Sequence, residues 1–132
     1  MKILFVCRHN RFRSKVAEAI FNKLNKNKEI QIESAGLILD ESRPYVEPVV
    51  VSLMKEKGYD VAGTPRQLTR QLADKFEMIV IVADNVSKEF FHDFSGKIIK
   101  WEIKDAISLD KQEISRIIDK IEKKVKALTK SL

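Results

Sequence analysis

Cys7 is the only cysteine in a chain of 132 residues, and it heads the run Cys7-Arg8-His9-Asn10-Arg11-Phe12-Arg13-Ser14. The pattern is a cysteine, five residues, an arginine and then a serine. It lies between an apolar strand pattern and the start of a helical one. There the backbone N–H groups of the loop and the helix N-terminus converge, which is an arrangement that binds tetrahedral oxyanions. That field, with Arg13 and the Ser14 hydroxyl, should favour the thiolate of Cys7. A thiolate is a competent nucleophile toward phosphorus. Arg13 can grip two phosphate oxygens with its planar fork, which a lysine cannot do. A lone cysteine after an apolar strand is more commonly a small buried core residue. The arginine and serine at fixed offsets point the other way, because from average residue usage they would coincide by chance on the order of one time in a hundred.

The elements that must carry this loop are short apolar runs alternating with longer helical patterns. Strands are predicted over Lys2–Val6, Ile30–Ser34, Met78–Ala83 and Lys97–Trp101. Helices are predicted from Ser14 to about Asn25, over Tyr45–Lys57 with Gly58 as the stop, and over Ser87–Phe94 with Phe90, Phe91 and Phe94 inward. Asp110, with Glu113 three residues on, opens a last helix whose buried stripe is Ile114, Ile117, Ile118, Ile121, Val125 and Leu128. The alternation implies an α/β fold, a three-layer sandwich with a four-stranded parallel sheet between helices. Ligands in such sheets bind beyond the carboxyl ends of the strands, where Cys7 falls.

Composition bounds the function from outside. Hydrophobic residues make up 44% and charged residues 33%, which is the balance of a globular chain forming one domain over 1–132. No apolar run approaches a membrane span, and the opening Met1–Val6 is too short for a signal peptide. One cysteine excludes an internal disulfide framework, and with two histidines it makes a metal centre or cofactor an unneeded assumption; the cytoplasm is the expected compartment. The net charge is +6, but the lysines of the last helix (Lys111, Lys120, Lys123, Lys124, Lys126, Lys130) interleave with its apolar stripe, and no nucleic-acid motif accompanies them. Gly58 and Gly63 are spaced like glycines of a nucleotide phosphate loop, but Thr64 stands where the lysine is required.

Taken together, the chain resembles the low-molecular-weight protein tyrosine phosphatase family, which includes thioredoxin-coupled arsenate reductases on the same fold. The matching segments run almost end to end: Phe5-Val6-Cys7 through Ser14-Lys15-Val16-Ala17-Glu18, Glu33-Ser34-Ala35-Gly36, Lys57-Gly58-Tyr59-Asp60, Arg66-Gln67-Leu68-Thr69, Ala83-Asp84-Asn85 and Trp101-Glu102-Ile103-Lys104-Asp105. The resemblance implies the sheet order 2-1-3-4 and a two-step hydrolysis. Cys7 takes the phosphoryl group as phosphocysteine, Arg13 clamps it, and Ser14 steadies the thiolate. Asp105 protonates the leaving oxygen and then activates water. Arg8, His9, Asn10, Arg11 and Phe12 form the phosphate-binding loop, Asn10 stabilising it and Ser34 supporting it. Phosphate, vanadate or arsenate would be site ligands, and the substrate a phosphorylated protein or a small phosphomonoester. Read without the resemblance, Asp105 is an ordinary exposed loop carboxylate, Asp84 braces a turn and Asp110 caps a helix.

The chain also departs from the family pattern. His9 stands where glycine is usual, Phe12 where many members have a second cysteine, and Gly63 where many have a histidine bracing the loop. The acid is usually followed by proline and then aromatics; here Ala106-Ile107 follow Asp105, leaving Tyr45 as the candidate wall for a phosphotyrosine ring or simply an exposed residue at a helix start. Arg8 and Arg11 would widen an electropositive mouth, or stand as exposed loop charges. The two resolving thiols of an arsenate relay would fall near Ala83 and Phe90, so that chemistry would need an external thiol. A catalytically idle oxyanion-binding module is the alternative of another class.

Overall fold

A computed structural model describes all of residues 1–132. Four strands, β1 (Lys2–Cys7), β2 (Gln31–Gly36), β3 (Met78–Val82) and β4 (Lys97–Trp101), form one parallel sheet in the order β2-β1-β3-β4. The helices are α1 (Arg13–Leu24), α2 (Pro48–Glu56), α3 (Arg70–Ala73) and α4 (Lys111–Ser131). Every residue of β3 is buried, as a continuous apolar run in a sheet covered on both sides requires. Side chains alternate across β1. Ile3 and Phe5 join the larger core with Val16, Ile20 and Phe21 of α1, Met54 of α2 and Ile118 of α4. Leu4 and Val6 join the smaller core on the opposite face, with Leu72 of α3, Phe76 and Phe91. No helix is long and apolar enough to cross a membrane.

The expected sheet, its order and its four strands are all present, and the differences are local. The second helix begins at Pro48 rather than Tyr45. Proline at the first helical position fits because its missing N–H would have no partner in the helix, while Tyr45–Glu47 is irregular, with a bend at Tyr45, and is held by Arg11. The segment after β3 is a single 3-10 turn, Lys88–Phe91, and only Phe91 of its aromatics is buried; Phe90 is 59% exposed and Phe94 half-buried. Three phenylalanines within five residues cannot all face inward from one turn. The short α3 gave no sequence periodicity to read. It is capped by Thr69, whose hydroxyl accepts the N–H of Leu72.

Candidate active site

The order β2-β1-β3-β4 places the crevice beyond the ends of β1 and β3, where the winding direction reverses. Cys7 ends β1, Asp84 and Asn85 follow β3, and Ile103–Asp105 follow β4. A cleft of about 300 Å³ opens there, with Cys7, Arg13 and Asp105 in its lining and Phe12, Val50 and Ile114 on its apolar side.

The loop from Cys7 to α1 is wound so that no backbone N–H from Arg8 to Lys15 donates to another backbone group. Phe12, the residue before α1, offers no side-chain cap, so the first turn keeps its donors. These groups are a concave set of partial positive charges with Cys7 at its base.

Asn10 makes the winding possible. Its φ is +56°, the left-handed region that few residues other than glycine and asparagine adopt, and its side chain is fully buried. Its hydrogen bonds fix every proton direction around the nucleophile. The Arg66 N–H donates to Asn10 Oδ1 at 2.9 Å, so Nδ2 is the donor end. Nδ2 then donates to Ser14 Oγ at 2.6 Å and to Ser34 Oγ at 3.0 Å. Ser34 passes its own proton to Glu18 Oε1 at 2.6 Å. Ser14, having accepted from Asn10, is free to donate to Cys7 Sγ, 2.9 Å away. The chain of bonds thus ends on a donor aimed at the sulfur.

Neighbouring backbone closes on the loop from β2. Leu37 N–H donates to the carbonyl of Cys7 and Ile38 N–H to that of Arg8, both at 2.9 Å. At Gly36 a Cβ would lie 2.7 Å from the carbonyl carbon of His9 and 2.8 Å from the nitrogen of Asn10. Only glycine lets the strand end approach that closely. His9 donates from Nδ1 to the carbonyl of Ile38 at 2.7 Å, so that nitrogen carries a proton, and the ring lines the cleft.

Arg13 is 2% exposed and pinned on three sides: Nη1 donates to the carbonyl of Ile103 at 2.8 Å and lies 3.4 Å from Asp84 Oδ1, and Nη2 donates to Asn85 Oδ1 at 3.1 Å. Asp105 Oδ2 lies 3.7 Å from Arg13 Nη2, with its side chain half exposed at the cleft. The structure therefore brings the expected nucleophile, clamp, serine and carboxylate to one place. It also gives Asp84 a part beyond bracing a turn, as a partner of the Arg13 guanidinium.

Other expected loop residues are arranged differently from a ring of free cations. The Arg11 guanidinium is nearly buried and bound by the carbonyls of Arg43 and Tyr45 and the carboxylate of Glu47, and it stacks on the Tyr45 ring at 5.2 Å. Its charge is partnered and anchors the 43–47 segment rather than widening the mouth. Tyr45 is 47% exposed and stands outside the cleft lining. Arg8 is exposed and also outside the lining. Arg43 does line the cleft, but it is paired with Asp40 at 2.8 Å. Hydrogen bonds from Ser42 and Arg43 hold the Asp40 carboxyl down to about 2, and the same pairing raises Arg43.

Several contributors lay in segments matched to the family without a role at the site attached: Glu18, Gly36, Arg66 and Asn85, with Asp84 read only as bracing a turn. Nothing in their local pattern marks them, because each acts on a residue more than ten positions away. Gly63, where the resemblance leads one to expect a bracing histidine, faces the buried Lys15 ammonium, which donates to the carbonyl of Ala62 at 3.2 Å and pairs with Glu18 at 3.6 Å.

The family model described as low molecular weight phosphotyrosine protein phosphatase matches residues 2–132. A glutaredoxin arsenate reductase from Synechocystis is 29% identical over 113 residues, 79% of this chain and 77% of the relative. Among solved structures, an arsenate reductase from Archaeoglobus fulgidus superposes with a TM-score of 0.78 at 29% identity, over 96% of this chain and 98% of the other. Vibrio vulnificus Wzb in complex with benzylphosphonate superposes with a TM-score of 0.86 at 25% identity, over 99% and 98%.

Proposed function

Because the chain belongs to the low molecular weight phosphotyrosine protein phosphatase family, we propose that it is a phosphomonoester hydrolase that works through a phosphocysteine on Cys7, with aryl phosphates such as phosphotyrosine as its substrate class. The observation that carries this reading is the convergence at one cleft of a sulfur that receives the Ser14 hydroxyl, a run of unpaired loop N–H groups and the Arg13 guanidinium, with a carboxylate across the mouth.

The steps follow from where charge must go. The Cys7 thiolate attacks phosphorus in line as the P–O bond to the leaving group breaks. The loop N–H groups and Arg13 take up the charge spread over the three equatorial oxygens. Asp105, protonated, gives its proton to the departing oxygen. The same carboxylate then accepts a proton from a water that attacks the phosphocysteine, the P–S bond breaks, and inorganic phosphate leaves. The Asn10–Ser14 bond keeps the serine proton directed at the sulfur, which steadies Cys7 as it departs. The apolar side of the cleft suits an aromatic leaving group, and the benzylphosphonate held by Vibrio vulnificus Wzb is an oxyanion joined to a ring of that kind.

The test is hydrolysis of p-nitrophenyl phosphate with EDTA present. Cys7→Ser should abolish turnover, and Asp105→Asn should lower kcat by about 10²-fold or more, because the same carboxylate must activate the water that releases the phosphocysteine whatever the leaving group. Full activity in Cys7→Ser would sink the mechanism; full activity in Asp105→Asn would remove the acid and keep the nucleophile. Folded wild-type protein that binds vanadate without turnover would favour an idle oxyanion-binding module.

Arsenate reduction is the second reading, and the names of two relatives at 29% identity favour it. With Cys7 as the sole thiol, two added thiols would be needed: one forms a disulfide with Cys7 as arsenite leaves the adduct, and a second reduces that disulfide, so both electrons come in net from outside the chain. Arsenate-dependent consumption of glutathione and glutaredoxin, absent in Cys7→Ser, would support that reading.

A further inference from the structure

We infer that Glu113 is the positioning residue of the general acid: its carboxylate holds the loop that carries Asp105 by accepting the N–H of Ile107. The inference rests on the role proposed above for Asp105.

Three observations carry it. First, Glu113 does not do what its place in the helix asks. With Asp110 as N-cap, a glutamate three residues on would turn its carboxylate back to the Asp110 N–H. Here that N–H goes to Ser108 Oγ at 3.2 Å, and only the other half of the box forms, Glu113 N–H to Asp110 Oδ2 at 3.1 Å. The Glu113 carboxylate reaches past the cap to Ile107 instead.

Second, little else fixes the loop: the Asp105 carboxylate itself lies 3.7 Å from Arg13, and half-buried Ala106 packs at the edge of the larger core. Residues 104–109 make no backbone–backbone hydrogen bond. Ile107 is 97% exposed and Leu109 62% exposed, so packing does not hold their backbone. Asp105 Oδ1 accepts the next N–H, that of Ala106, at 2.8 Å, but this bond moves with the loop. No proline follows Asp105 to stiffen it.

Third, the tether is rooted in something rigid. Glu113 lies in the first turn of α4, whose next residues toward the core, Ile114, Ile117 and Ile118, are buried. A charged acceptor on a packed helix is a firm anchor for a loop N–H. It fixes the loop two residues beyond the acid, on the cleft side of the helix.

The test compares kcat/KM for phenyl phosphate, whose leaving phenolate needs a proton, with p-nitrophenyl phosphate, whose leaving group needs one far less. Glu113→Ala should lower phenyl phosphate turnover by about tenfold or more, since misplacing a catalytic group by an ångström costs up to about 10²-fold. The loss on p-nitrophenyl phosphate should stay within about threefold. Glu113→Gln, whose amide oxygen can accept the same N–H, should restore most of the lost activity. On an Asp105→Asn background, Glu113→Ala should cost nothing further, because the group it positions is gone. Asp110→Ala, which weakens the helix start by removing its cap, should keep wild-type selectivity between the two substrates. Equal losses on both substrates, a further loss on the Asp105→Asn background, or the same selectivity change in Asp110→Ala would each overturn the inference. If Asp105→Asn is itself fully active while Cys7→Ser is dead, the acid assignment fails first and the role of Glu113 falls with it.

Discussion

Two loops meet at the cleft, and they are built on opposite plans. The loop from Cys7 to Arg13 is tied down at almost every side chain: Asn10 makes three hydrogen bonds, Arg13 reaches both post-strand segments, and the end of β2 presses against its backbone at Gly36. The loop from Lys104 to Leu109 has no backbone ladder, exposes two large apolar side chains, and has Glu113 on its backbone, with the Asp105–Arg13 pair and the edge packing of Ala106 beside it. The difference matches what each would have to do. A phosphate cradle works by holding dipoles fixed before charge develops, so its stabilisation is lost when it loosens. A carboxylate that must first give and later take a proton has to serve two geometries, and a loop held at few points allows it to.

This contrast can be broken at the rigid side first. Arg13→Lys keeps the charge but loses the planar fork; kcat/KM should fall by about 10²-fold or more, with circular dichroism confirming the fold. Retained activity would mean that the loop N–H groups alone hold the phosphoryl group. Gly36→Ala is the next test, at a position outside the cleft lining. Its Cβ would sit within 3 Å of His9 and Asn10 backbone, so the loop must shift. Activity should drop by about 10²-fold for a displacement near an ångström, and stability by about 1–3 kcal/mol. A well-folded variant with normal phosphate affinity would show that the cradle is more forgiving than its contacts imply.

The smallest expected effect lies far from both loops and serves as the control. The Tyr59 hydroxyl, just beyond α2, donates to Glu122 on α4, and burial together with that carboxylate pushes its pKa up to about 12. A folded-state value above the unfolded one, about 10, means that this contribution is complete below pH 10 and is lost as pH rises through about 12. Tyr59→Phe should cost about 0.5–1.5 kcal/mol at pH 7, leave kcat/KM unchanged, and flatten the fall in stability above pH 10 in denaturant titrations. A large loss of activity would mean that the α2–α4 contact couples to the cleft.

Strand positions and the site loop were readable because their signals are local. Apolar runs bounded by polar residues mark β1, β3 and β4, and β4 falls on its expected residues. Cys7, Arg13 and Ser14 lie within eight consecutive residues, so spacing alone joins them. The helix start at Pro48 and the outward Phe90 leave no local signal, because each depends on a distant partner. Arg11 holds the 43–47 segment outside the helix, and the smaller core buries Phe91, takes Phe94 only at its edge and leaves Phe90 in solvent.

By itself, then, the sequence determined the order of elements, and with it a parallel sheet whose first strand delivers the lone cysteine to a helix N-terminus. Hydrophobic period and helix-start chemistry act over a few residues, and a linear reading captures them. The tertiary structure alone decided the direction of each proton around that cysteine, the partners that pin Arg13, the neutralisation of Arg11, and the use of Glu113 as an anchor. Those outcomes depend on groups 4 to 90 positions apart meeting within hydrogen-bond distance. Such bonds act over about 3 Å and carry no periodic trace along the chain.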